Sequence, residues 1–448
     1  MAEQEGPRGG DTYFVVWTLK TEGVILPEER LPPGQTILVG LQHVVAMFGA
    51  TVLAPLLMGF DPNVAILFSG VATLIFFVIT GGRVPSYLGS SFAFIGPVLT
   101  ATGAAIAAGP NPNLGLALGG IIAAGALYSV IGLIVMAAGH HWVERLMPPV
   151  VTGSIVAAIG LVLAPIAISS ASGIGQGSPD GTAFARWIAL GTVVAVGLCA
   201  VYAPGIGRRI PILLGAIIGY IVYYVAANVM ALGPAIDFAK LGAAAWFGMP
   251  NFASPVFDPK AMVLIAPVAI VLVAENLGHI KAVGAMTGRS LDAYLGRAFL
   301  GDGIATMISG SGGGTGVTTY AENIGVMAIT RIYSTQLFIA AAIIAILLGF
   351  SPKFGALILT IPGPVLGGLS IVVFGLIAAT AGRIWVTNGV DFSRARNLLT
   401  AAVALVLGAG NFKLTVAGFT LDGIGTATFG CIIFYHLLSF GAQEEEEV

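Results

Sequence analysis

The chain has 448 residues, 57% of them hydrophobic and 9% charged, with a formal net charge of −2. Soluble globular domains carry about 25% charged residues, so this composition excludes a surface that mostly faces water. The net charge says nothing about partners, and the sequence shows no nucleic-acid-binding basic patch.

Residues 1–33 are polar, with no apolar h-region and no small-residue cleavage site, and read as a soluble tail rather than a signal peptide. Hydropathy then gives about fourteen apolar spans, at 36–58, 63–81, 86–107, 114–138, 149–170, 184–203, 212–232, 259–285, 297–310, 316–332, 335–349, 364–382, 397–410 and 420–440. The expected fold class is an all-α polytopic membrane protein. Its 63 glycines suit helices that pack backbone to backbone in lipid. The closing GAQEEEEV (441–448 after Phe440) reads as a solvated acidic tail. Cys199 and Cys431 lie in apolar spans and read as small buried residues; no Cys/His metal spacing is expected.

Charge asymmetry orients the spans. With the N-terminus inside, Arg186, Lys240, Lys260, Lys353 and Lys413 fall outside and the other 14 of the 19 Lys and Arg fall inside. The positive-inside rule therefore predicts that both ends are cytoplasmic.

The two halves echo each other. Gln42 and Glu275 are 233 residues apart, as are Tyr87 and Tyr320, and the stretches beginning at Pro149 and Pro364 are alike at an offset of 215. Seven spans per half would make the second repeat enter from the opposite side, as in transporters that build a midplane site from inverted repeats.

The third and tenth spans are interrupted in the same way. Span three carries Pro85, Gly89, Gly96 and Pro97, and five of the eight residues from Gly310 to Val317 are glycine. Neither can be an unbroken helix. Irregular backbone at membrane depth survives where it lines a cavity, and free N–H groups at half-helix starts can meet carbonyl oxygens or anions.

Polar side chains gather around these breaks. Glu275 is the only charged residue in Met262–Ile280, and an intramembrane carboxyl marks a functional site by default. His279 lies four residues on, on the same helix face. Glu322, followed by Asn323, lies at the break in span ten, and His43 lies in span one. A membrane histidine can also simply bond a backbone carbonyl. Asp302 is the weaker case, since span nine is short and the residue falls near its end. Two carboxyls sharing a low-dielectric cavity titrate as a coupled pair, which can carry a proton with a cargo. No GxxxxGK[ST] motif is present, so an ion gradient is the expected energy source. No Ser/His/Asp set, HExxH or nucleophile beside a base is present, so an enzyme is not expected.

The stretch Tyr320-Ala321-Glu322-Asn323-Ile324-Gly325 through Thr330-Arg331 resembles the signature of the nucleobase–ascorbate transporters, the nucleobase:cation symporter-2 family. The LQH of span one, YLGSSFAFI of span three and AENLGH of span eight match as well, so the likeness covers about residues 34–440. The resemblance implies 14 transmembrane spans in two inverted seven-span repeats (34–258 and 259–440), with short extended stretches in spans three and ten. A core domain (about 34–139 plus 259–350) would move, elevator-like, against a gate domain (about 146–258 plus 351–440), usually in a homodimer.

The same resemblance assigns roles. Glu275 would accept from ring N–H groups, and Glu322 would contact substrate and take part in proton coupling. The backbone N–H groups of Phe92 and Ala321 would bind exocyclic carbonyl oxygens, and the Phe92 ring would pack on the substrate face. His279 would act through water, and His43 and Tyr320 would support Glu322. Purine-transporting relatives commonly carry Gln at the position of Glu322, so the resemblance points to the uracil branch. Ala321 departs from the frequent Gly and would narrow the pocket. The expected function is proton-coupled import of uracil, or a close pyrimidine, across a bacterial inner membrane. The alternative is a xanthine or urate symporter of the same family. A channel of the same fold and a sulfate-type anion carrier are rivals that two buried acids disfavour. Lipid and a small nucleobase are the expected partners, and the proton replaces any cofactor.

Overall fold

Proline opens and glycine closes many of the helices. The computed structural model describes residues 12–104, 109–174, 181–204, 207–208, 210–416 and 419–440. The acidic tail and residues 105–107 of predicted span three therefore lie outside the described residues. Thr18–Leu19 (β1) pairs in parallel with Glu29–Arg30 (β2). Helix α1 (Pro33–Met58) follows and ends on Gly59 at φ 74°, a left-handed position that favours glycine. In α2 (Pro62–Thr80), Asp61 caps the start by accepting from Asn63 N–H at 2.8 Å, and Gly81 at φ 66° ends it.

After β3 (Leu88–Ser90), a 3-10 turn at Phe92–Phe94 runs into α3 (Ile95–Thr102). Then come α4 (Leu114–Ala138), α5 (His141–Leu146), α6 (Pro149–Val162), α7 (Ala164–Ser172), α8 (Ala183–Tyr202), α9 (Pro211–Tyr224) and the short α10 (Ala239–Ala243). From there the order begins again. Helix α11 (Pro259–Ile265) continues past Pro267 into α12 (Val268–Thr287). Next are α13 (Leu295–Ser311), β4 (Val317–Thr319), α14 (Ala321–Thr330) and α15 (Gln336–Gly349). The chain ends with α16 (Pro352–Ile358), α17 (Gly363–Thr387), α18 (Ala395–Ala409), the hairpin β5 (Leu414–Val416) and β6 (Phe419–Leu421), and α19 (Gly423–Ser439). Among the described residues, eight helices or helix pairs are long and apolar enough to cross a membrane, and the bent pair α15–α16 makes a ninth. The protein is a mostly helical, polytopic membrane protein.

The helices pack in two groups. In one, α13 lies on α4 and α2, α15 on α1 and α2, and α11 on α4; in the other, α17 lies on α6, α7 and α8, and α18 on α19 and α6. Small residues set these crossings. A Cβ on Gly303 would come 2.7 Å from the Gly125 carbonyl and 2.5 Å from the Ser129 nitrogen. Both obstacles are backbone and cannot swing aside. Gly303→Val should therefore force α13 off α4 and lower the melting temperature of the purified protein, at a cost of about 1–3 kcal/mol. An unchanged melting temperature would show that this contact does not limit the crossing.

The predicted free tail is not free from Thr12 onward. Tyr13 Oη donates to the Ile79 carbonyl at 2.6 Å, and Val15 N–H to that of Gly81 at 2.9 Å. Trp17 Nε1 reaches Thr335 Oγ1 at 3.0 Å, and Ile25 exchanges hydrogen bonds with Arg331 and Tyr333 on either side of Ile332. Arg289 grips Glu28 with both terminal guanidinium nitrogens, Nη1 and Nη2, at 2.7 and 2.5 Å. This strap ties together the ends of α2, α12 and α14 and the start of α15. Such a segment escapes hydropathy because its fixed points are hydrogen bonds and aromatic stacking, not an apolar run.

Partial burial opposes the charge on Glu28, but the Arg289 hydrogen bonds outweigh it and hold the carboxyl below its ordinary 4.5. A carboxyl depressed in the folded state stabilises fully above its unfolded pKa, and that contribution is lost as pH falls through the folded value. The clamp is thus complete at neutral pH and weakens below about pH 4.5. At pH 7, Glu28→Gln should speed amide exchange across residues 13–31 about two- to fivefold, the worth of a partly exposed ion pair. After correction for intrinsic rates, the difference from the unmodified protein should shrink toward pH 3.5.

Candidate functional site

Strands β3 and β4 pair antiparallel, Leu88 with Thr319, Gly89 with Thr318 and Ser90 with Val317. Two further bonds extend the ladder, Ser91 N–H to the Gly316 carbonyl at 2.9 Å and Tyr320 N–H to that of Tyr87 at 3.1 Å. Extended backbone inside a membrane must have its polar groups satisfied by protein. Hydroxyls on the flanking helices supply what a two-stranded ladder leaves open. Thr73 on α2 accepts from Leu88 N–H at 3.0 Å. Thr306 on α13 accepts from Val317 N–H at 3.3 Å, and Ser309 donates to the Thr315 carbonyl at 2.6 Å. Thr73 and Thr306 stand at the same 233-residue offset as Tyr87 and Tyr320. Sequence reading missed this pair, although the offset already in hand would have found it.

The pairing brings two half-helix starts together. Among the described residues nothing accepts from the N–H of Phe92 or of Ala321, the first residues of their helical turns. Glu322 sits in the first turn of α14, where a helix favours negative charge. From α12, Glu275 and His279 face the same region, and the two glutamates are within electrostatic reach of each other. Neither carboxyl bonds another described side chain.

There is room beside both glutamate-bearing helix faces. A Cβ added to Gly278 on α12 or Gly325 on α14 would meet nothing within 4 Å. Gly278, Ala321 and Gly325 are exposed, and Glu275, His279, Glu322 and Phe92 are half-buried. The Phe92 ring stands edge-on to Phe374 of α17, with centroids 5.7 Å apart. Phe92 therefore joins this region to the second packing group. The region offers two carboxyls and two uncapped N–H groups, which suits a flat ligand presenting both N–H donors and carbonyl acceptors.

The residues expected to support Glu322 reach the start of α14 through its neighbours rather than through the carboxyl itself. His43 is fully buried on α1 and meets Asn323, not Glu322. Asn323 Nδ2 lies 2.9 Å from His43 Nδ1 and 3.1 Å from its carbonyl oxygen. Tyr320 Oη donates to the Ser90 carbonyl at 2.9 Å and accepts from Thr51 Oγ1 at 3.0 Å. Both side chains thus anchor the start of α14 to α1 and β3, and neither bonds the Glu322 carboxyl.

Behind α12 runs a buried network. His279 Nδ1 lies 2.8 Å from Thr319 Oγ1, which reaches Asn276 Oδ1 at 3.4 Å. Asn276 Nδ2 donates to Tyr128 Oη at 2.9 Å and to Asp302 Oδ2 at 2.5 Å. Asp302 is completely buried midway along α13, and its Oδ1 has no partner among the described residues. The expectation that it lay near a helix end was wrong, because α13 is longer than its hydropathy suggested. Asn276 could have been found from its place beside Glu275; Tyr128 carried no sequence signal.

Comparisons with known proteins agree with this architecture. A model described as "Permease family" matches residues 34–417. RutG of Escherichia coli (strain K12), by name a candidate pyrimidine permease, is 61% identical over 430 residues, covering 95% of each chain. A uracil permease of Bacillus caldolyticus is 42% identical, over 94% of this chain and 96% of that one. The transmembrane domain of the cyanobacterial bicarbonate transporter BicA superposes with a TM-score of 0.63 at 17% identity, over 90% of this chain and 97% of that one, a likeness of fold alone. The protein is a permease rather than an enzyme, and it belongs to the nucleobase:cation symporter-2 family.

Proposed function

We propose that the protein imports uracil, or a close pyrimidine, together with a proton. The observation that carries this reading is the meeting of two unpaired carboxyls, Glu275 and Glu322, with the uncapped N–H groups of Phe92 and Ala321, with room beside both glutamates. A uracil ring has two N–H donors and two carbonyl acceptors, and these four groups are their complement. Two close acids also disfavour an anionic cargo such as bicarbonate or sulfate. The relatives named for uracil and pyrimidine support the same substrate class.

In this reading the chain crosses a bacterial plasma membrane fourteen times, in two inverted repeats, with both termini in the cytoplasm. The group of helices carrying Glu275 and Glu322 is the core, and it moves elevator-like against the gate group that presents Phe374. The working unit is a homodimer. Uracil enters with the glutamate pair carrying a proton, and both leave to the cytoplasm after the core has moved.

The test is uptake of radiolabelled uracil into proteoliposomes under an inward proton gradient, with unlabelled xanthine as competitor. The expected result is concentrative uptake that a protonophore abolishes and xanthine leaves unaffected. Strong competition by xanthine would replace the pyrimidine by a purine, and uptake that never exceeds equilibrium would replace the symporter by a facilitator.

A further inference from the structure

We propose that His140, His141 and Glu144, at the turn from α4 into α5, bind a transition-metal dication of the zinc class. His141 Nδ1 lies 3.3 Å from Glu144 Oε2, and His140 Nε2 lies 3.8 Å from Oε1. One donor atom from each of the three residues falls within 4.8 Å of the others. Two imidazoles and a carboxylate are a donor set that suits zinc, and three protein ligands leave a fourth position for water.

Local structure explains the convergence. His140 precedes α5, and His141 and Glu144 lie three residues apart in it, so the side chains share one face. The His140 and Glu144 side chains are only 18% and 30% exposed, whereas His141 is 79% exposed and can swing inward. Zinc–ligand bonds of about 2.0–2.2 Å ask the donors to close by roughly 1 Å, which a rotation of His141 supplies.

Another cation already occupies part of this position. Lys281 Nζ of α12 is paired with Glu144 Oε1, six residues beyond Glu275 on the same helix. A metal ion and Lys281 therefore compete for one carboxylate, and metal binding would release the tie between α5 and the helix that carries Glu275. The site concerns neither the transported substrate nor its coupling ion.

Calorimetric titration of the purified full-length protein with Zn2+, free of chelators, tests the site. The expected result is one ion per chain. The double variant His140→Ala/His141→Ala, with its metal-free uptake retained, should weaken binding by at least about tenfold. Lys281→Met keeps all three donors and removes the competing cation, so it should tighten binding even if the histidine variant fails to fold. Equal affinity in the double variant would place the ion elsewhere and overturn the proposal. So would absence of binding in the unmodified protein, or binding that Lys281→Met leaves unchanged.

Discussion

Glu275→Ala should abolish substrate binding. The carboxyl shares its helix face with His279, bonds no other described side chain, and lies one turn from the open space at Gly278. Its oxygens are thus left for a ligand's N–H groups. Charge-assisted hydrogen bonds are worth about 1.5–3 kcal/mol each, and a site built to bond both edges of a ring loses far more than area when one edge goes unpaired. The loss should therefore be at least about a hundredfold in affinity. Scintillation-proximity binding of labelled uracil to purified protein measures it without any transport step. Glu275→Gln keeps the size and one acceptor oxygen, and should fall between the two. Binding by Glu275→Ala within a few-fold of the unmodified protein would remove Glu275 from the site.

Glu322→Gln should separate binding from coupling. The amide retains an acceptor oxygen in the first turn of α14, and Asn323, locked to His43, still holds that turn in place. What it cannot do is take up and release a proton. Affinity should fall by less than about tenfold, the scale of one hydrogen bond weakened rather than lost, and exchange of labelled for unlabelled uracil across proteoliposomes should persist. Accumulation driven by a proton gradient should disappear. Equal loss of binding and of accumulation would mean that Glu322 serves the substrate alone and that the proton is carried elsewhere.

Much of this site could be read before any coordinates. Glu275, His279 and Glu322 were conspicuous because lipid makes buried charge costly, so a carboxyl in an apolar span needs a reason to be there. The breaks at Gly89 and around Gly310–Gly316 were conspicuous for the same kind of reason, since neither run can remain helical. Asp302 shows where this reasoning fails. Hydropathy dips along a helix rich in glycine and polar residues, so α13 looked shorter than it is and its central acid looked peripheral. Asn276 and Tyr128 were harder still, because an amide or a phenol at an apolar position costs too little to stand out.

By itself, the sequence determined that this is a polytopic membrane permease and that two of its apolar stretches are interrupted, and it singled out the carboxyls proposed here for the site. All of these follow from a local rule: each residue's cost of transfer into lipid depends on that residue and its near neighbours. Only the tertiary structure decided that β3 meets β4, that Thr73 and Thr306 complete their ladder, and that His43 holds Asn323 rather than Glu322. It also decided that residues 12–32 form a strap and that Lys281 reaches Glu144. Those are hydrogen-bond and ion-pair choices among several chemically equivalent partners far apart in the chain. Packing, not composition, brings one of them within 3 Å.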